Sequence, residues 1–131
     1  IGYAVLPASV TEDLNANNDA YPLARPSQAA AIATLQHDAK IRKRIERLRS
    51  WTTQLAKELE SLGVRTFPTE TYFFLADFSP HDARDVAAQL RERQIFVKPL
   101  DDEQLGDGYM RVTTARPENN ERVVEALEEI L

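Results

Sequence analysis

Gly108-Tyr109-Met110-Arg111-Val112-Thr113-Thr114 is the stretch whose reading decides the fold. Tyrosine, valine and two threonines suit a pleated, half-buried surface, and Gly106 and Gly108 punctuate its start, so the segment reads as a short strand. Side chains alternate between faces along a strand. Met110, Val112 and Thr114 therefore share one face, and Tyr109, Arg111 and Thr113 share the other. An arginine on so short a strand needs water or an anion for its guanidinium. Its planar fork matches a carboxylate through two parallel, charge-assisted hydrogen bonds. A plain surface arginine or a structural ion pair is the competing reading of the strand taken by itself.

Working outward, the order from Val64 onward is β-β-α-β-β-α. Val64-Arg65-Thr66-Phe67-Pro68 reads as a short edge strand ended by proline. Tyr72-Phe73-Phe74-Leu75-Ala76-Asp77-Phe78 is apolar on both faces, as a central or covered strand would be. Ser79-Pro80-His81-Asp82 resembles a helix start with serine as N-cap and proline at N1, which accounts for His81 and Asp82 without a catalytic pair. Ala83, Val86, Ala87 and Leu90 mark the buried stripe of the helix that follows. Ile95-Phe96-Val97-Lys98-Pro99-Leu100 is the third strand, ahead of the acidic loop Asp101-Asp102-Glu103 and the Arg111 strand. Pro117 opens a last helix with Val123, Val124, Leu127, Ile130 and Leu131 facing inward. The expected architecture is α+β: a small, mainly antiparallel sheet with helices packed on one side.

Upstream lies a long helix. Ile41, Ile45, Leu48, Trp51, Leu55, Leu59 and Leu62 recur at spacings of three and four between a candidate N-cap, Asp38, and Gly63 as C′. At 1.5 Å per residue such a rod spans about 36 Å, long for a domain of this size. Its other face carries Lys40, Arg42, Lys43, Arg44, Arg47 and Arg49 and reads as a solvated surface. Before it, Pro26 and Ser27-Gln28-Ala29-Ala30-Ala31 predict another helix. Ser9 to Arg25, rich in Asn and Asp, predicts a long connection in which Tyr21 either reaches a ligand or packs. Ile1-Gly2-Tyr3-Ala4-Val5-Leu6 reads as a strand needing a partner from outside the chain, as in a piece of a larger protein.

The totals narrow the function classes. The 131 residues carry a net charge of −5, which argues against a nucleic-acid surface. There are no cysteines and only two histidines, so thiolate and histidine-rich metal sites are not expected. No apolar run approaches a membrane span, and the cytoplasm is the default compartment.

Once the Arg111 strand is set behind this helix and strand series, the chain resembles the C-terminal part of class I/II aminotransferases of the pyridoxal-phosphate fold type I. It is most similar to the histidinol-phosphate aminotransferase branch. The resemblance runs through Ile1-Gly2-Tyr3-Ala4-Val5, Ser27-Gln28-Ala29-Ala30-Ala31, Leu59-Glu60-Ser61-Leu62-Gly63-Val64, Ile95-Phe96-Val97-Lys98, Tyr109-Met110-Arg111-Val112-Thr113 and Pro117-Glu118-Asn119-Asn120. It departs where Tyr72-Phe73 replaces the usual Asn-Phe and Ala115-Arg116 replaces a frequent Gly-Thr.

The resemblance implies that Arg111 binds the substrate α-carboxylate. Lys98 stands where the branch often has an arginine for a distal anion, with a structural lysine as the alternative. It also implies residues 1–25 as part of a cofactor domain otherwise outside this chain, and 26–131 as the small C-terminal domain. The parent enzyme would be a homodimer that holds pyridoxal phosphate on a lysine and exchanges an amino group between amino acids and 2-oxo acids. Lys40, Lys43, Lys57 and Lys98 do not match that lysine, so the chain alone is expected to hold no catalytic or cofactor-binding residue and to be inactive. Two alternatives stand beside this: the small domain of a pyridoxal-phosphate-dependent phospho-amino-acid decarboxylase, and a non-enzymatic domain for amino-acid binding or assembly.

Overall fold

A computed structural model describes residues 1–2, 4–17, 23–100, 102 and 104–131. Its helices and strands run α1 (Ala8–Ala16), α2 (Arg25–Gln36), α3 (Asp38–Ser61), β1 (Arg65–Thr66), β2 (Phe73–Asp77), α4 (Ala83–Glu92), β3 (Lys98–Pro99), β4 (Tyr109–Thr113) and α5 (Pro117–Ile130). Two compact units divide the chain, Ile1–Lys43 and Arg44–Leu131.

The second unit has the expected α+β form. Its four strands lie in the order β1-β2-β4-β3, every neighbouring pair antiparallel. β2 is central, as its two apolar faces predict. Phe74, Ala76, Met110 and Val112 line one side of the sheet and are buried with Leu55 and Leu59 of α3, Val86 and Leu90 of α4, and Ala126 and Leu127 of α5. All three helices thus cover a single sheet face, and the Met110/Val112/Thr114 alternation points inward as read. One polar thread crosses this core: the Thr114 hydroxyl donates to Thr52 Oγ1 at 2.8 Å, and Thr52 donates to the Leu48 carbonyl at 2.9 Å. It ties the end of β4 to α3 with every hydroxyl satisfied.

Helix ends follow their local chemistry. Gly63, at φ +86°, closes α3: its N–H reaches Glu60 O, and Val64 N–H reaches Leu59 O, a Schellman pair. α4 ends on the same bonds, with Gln94 at φ +60° in the role of the glycine. α5 begins at Pro117 with no cap from Arg116. Instead, buried Asn120 turns back to accept the Ala115 N–H at 2.9 Å.

Five expectations need correction. Ser79 does not cap α4. Its N–H is taken by Asp77 Oδ1, the Ser79–Pro80 peptide is cis, and Asp82 is the N-cap, accepting Arg84 N–H at 2.7 Å. A carboxylate is the stronger acceptor at a helix start, where the exposed N–H groups carry partial positive charge. Asp38 lies inside the first turn of α3, paired with Arg42 at 2.6 Å, rather than at its cap. The third strand is short, Lys98–Pro99 alone, with Phe96 exposed ahead of it. Leu131 is exposed, and Ala126 takes an inward place beside Leu127.

The fifth correction concerns the first unit. Part of the expected connection is helical, α1, whose end Asn17 secures by donating from Nδ2 to Asp13 O at 2.8 Å. The described residues before it form no strand, since a strand needs a partner for its N–H and C=O groups and none is supplied among the described residues. Neither α1 nor α2 buries a residue; Val10, Leu14, Ile32 and Leu35 all lie open.

Candidate functional site

The candidate residues of β2 and β4 lie on the sheet face that no described helix of this unit covers. From β4 it presents Tyr109, Arg111 and Thr113, and from β2 Phe73, Leu75 and Asp77, because directly paired residues project to the same side. Arg65 of β1 stands opposite Asp77 on the same face. On the other side of β4, Lys98 is the direct partner of Arg111.

Two cations placed directly opposite each other repel and weaken the strand pair. Both Lys98 and Arg111 are exposed, and among the described residues neither side chain forms an ion pair or hydrogen bond. The arginine has an acid within diagonal reach: Asp77 and Phe73 are its two diagonal neighbours on β2. It takes the ring. Arg111 Cζ lies over Phe73, 5.4 Å from the centroid. Asp77 is engaged elsewhere. The hydrogen bond from the Ser79 hydroxyl, foremost, holds its carboxyl below the ordinary range, with help from Ser79 N–H, the Tyr109 hydroxyl and the charge of Arg65, against the opposing effect of burial. Gly108 permits that turn, because a Cβ there would meet Ser79 Oγ and come within 2.9 Å of Asp77 Oδ1 and 3.0 Å of Ser79 N. Arg65 in turn lies 4.8 Å over the Phe67 ring, which packs at 6.0 Å on Tyr109.

The face is thus sorted. At the β1 end the Asp77 carboxylate accepts the Ser79 N–H and Arg65 lies over the Phe67 ring; at the β3 end two cations stand without a counter-charge among the described residues. Asp77 also gives a pH prediction. Its depressed value means its contribution to stability is complete above the ordinary carboxylate value of 3.8 and is lost as pH falls through the lower folded value. Asp77→Asn is expected to lower the urea midpoint at pH 7 and to shrink the drop between pH 5 and pH 2. An unchanged acid limb would remove Asp77 from this account.

Other residues singled out in the sequence fall away from this face. Tyr21 lies outside the described residues. His81 is exposed in the turn before α4, and the basic positions of α3 are solvent-facing, with Arg49 paired to Glu70. No group of His, Asp and Glu able to hold a metal ion occurs among the described residues, and no described helix is long and apolar enough to cross a membrane. An open cleft of about 360 Å³ lies on the helix side, between α3 and residues 66–71, and includes neither Arg111 nor Lys98. The sequence did not reveal the part played by Phe73; the period-2 register that places it diagonal to Arg111 was the available signal.

Residues 1–127 match the family model described as aminotransferase class I and II. The chain belongs to this family. It is 33% identical over 130 residues to histidinol-phosphate aminotransferase 2 of Thiobacillus denitrificans, covering 97% of this chain and 36% of that protein. Among solved structures, L-threonine-O-3-phosphate decarboxylase of Porphyromonas gingivalis superposes with a TM-score of 0.80 at 25% identity, over 96% of this chain and 40% of that one. Histidinol-phosphate aminotransferase of Sinorhizobium meliloti, solved in complex with pyridoxal-5'-phosphate, gives 0.79 at 20% identity, over 93% of this chain and 34% of that one. The latter likeness establishes the fold. The chain spans about a third of the length of the curated relatives it matches.

Proposed function

We propose that this chain is the substrate-carboxylate-recognising part of a pyridoxal-phosphate-dependent aminotransferase that moves an amino group between an amino acid and a 2-oxo acid. The observation that carries the reading is the Lys98–Arg111 pair on the uncovered sheet face. A like-charge pair held off its nearest acid is a cost to the fold that an incoming anion removes. Arg111 supplies the bidentate fork for the α-carboxylate, and Lys98 a point charge for a second, distal anion such as a phosphate. Bidentate binding fixes the orientation of the amino acid, and closure of the face against the cofactor domain excludes water from the reacting carbon.

The cofactor supplies the electron sink for the bond-breaking step when bound. This chain's own residues do not fit its attachment. Lys40, Lys43 and Lys57 are exposed along α3, and Lys98 stands against Arg111. We assign the cofactor lysine to the remainder of the parent enzyme, place residues 1–25 with that cofactor domain and 26–131 with the small domain, and read the parent as a cytoplasmic homodimer. The isolated chain is then inactive.

A second reading has one observation in its favour, the TM-score of 0.80 to a phospho-amino-acid decarboxylase. It uses the same two cations but releases carbon dioxide and needs no acceptor. The test is the visible absorption of the protein from the complete reading frame, loaded with pyridoxal phosphate and titrated with amino-acid donors, histidinol phosphate included. A cofactor band bleached by a donor and restored by a 2-oxo acid supports transamination. Release of carbon dioxide without that cycle moves the decarboxylase to first place. A protein that binds no cofactor sinks both.

A further inference from the structure

We infer that Phe73, braced by Tyr72, is a positioning residue for Arg111: its ring holds the guanidinium away from Asp77 and ready for a carboxylate. The inference rests on the carboxylate reading of Arg111 and adds what keeps that arginine available. A long side chain on β4 with an acid and a ring as diagonal neighbours has two resting places. An ion pair with Asp77 would consume the N–H donors that a substrate carboxylate needs. The ring consumes none, since it attracts the cation through its face, and a planar guanidinium so held retains its donors.

Arg111 lies over the ring, at 5.4 Å. The ring itself is fixed. Tyr72 packs edge-on against it, with centroids 5.5 Å apart and planes at 89°. The Tyr72 carbonyl accepts Thr114 N–H at 2.8 Å, and the Thr71 hydroxyl accepts from Phe73 N–H at 3.3 Å while donating to Phe73 O at 2.9 Å. Thr114 is in turn tied to Thr52 in the core. The platform is therefore joined to α3 through hydrogen bonds, whereas among the described residues the Arg111 side chain meets the platform only through the cation–ring contact.

The experiment uses the complete, cofactor-loaded enzyme and its amino-acid donor. Phe73→Leu keeps an apolar side chain and removes the ring; it is expected to raise KM about three- to tenfold with kcat little changed, the range of a partly exposed cation–ring contact. In an Arg111→Lys background the same substitution should add little, because the fork it positions is gone. Fluorinated phenylalanines at position 73 keep the shape and weaken the ring's negative face, so KM should climb with fluorine number even where the leucine variant folds poorly. Phe73→Trp should restore the wild-type KM. An equal loss in both backgrounds, or a KM indifferent to fluorination, overturns the platform and leaves the carboxylate reading standing. If Arg111→Lys alone leaves KM unchanged, the carboxylate reading fails and takes the platform with it.

Discussion

Replacing Phe74 by alanine should cost this chain about 3–5 kcal/mol, the range for truncating a fully packed phenylalanine. Phe74 is 2% exposed and stands opposite Val112 in the central strand pair. It belongs to the buried cluster that residues of α3, α4 and α5 build with the sheet, so truncation removes a large side chain from a close-packed core. Urea unfolding followed through Trp51, the single tryptophan, gives the readout. Ile45→Ala, at a position half open to solvent, is the control and should stay within about 0.5 kcal/mol. An unchanged midpoint for Phe74→Ala would mean that β2 faces the other way. Since a one-residue slip reverses every side chain of a strand, Arg111 would lose its place on the open face as well.

The period-2 pattern of β4 and the apolar run of β2 were legible in the sequence because each records which side of the sheet is dry. From Tyr109 to Thr114 the inward and outward residues alternate as read, and the three-four spacing of α3 led to Leu55 and Leu59. The misreadings have local causes. Ser79-Pro80 carries the helix-start signal that Asp82 fulfils, because two acceptors compete within four residues and the one that wins is charged. Phe96 looked like strand because aromatic and β-branched neighbours favour pleated backbone, yet β3 keeps only the residues that pair with Arg111 and Met110. Ala8–Ala16 was hidden by its asparagines, which end a helix as readily as they make a loop.

At the site the division is similar. Arg111 could be singled out from one strand and a family likeness, and Lys98 from the likeness alone. Their direct pairing is a matter of register between residues thirteen positions apart, which no local pattern encodes. The contact of Arg111 with Phe73 rather than Asp77 depends on the register that makes both its diagonal neighbours, and on Ser79, whose N–H the acid accepts.

In the complete enzyme, Arg111→Ala is expected to lower kcat/KM about ten- to 150-fold for every amino-acid donor, the equivalent of roughly 1.5–3 kcal/mol of charge-assisted hydrogen bonding. Stability should change little. Lys98 would lose a like charge directly across the strand pair while the Phe73 ring loses its cation, so the urea midpoint should hold. That divergence separates a binding residue from a structural one, since a residue retained for the fold would lose both together. Lys98→Ala makes the complementary case. It relieves the same repulsion, but its kinetic effect should be confined to donors that carry a second anion, because the α-carboxylate keeps its fork. Arg111→Ala with unaltered kinetics for every donor would sink the assignment of Arg111. A Lys98→Ala penalty that is equal for donors with and without a distal anion would return the lysine to the surface and leave the arginine to act alone.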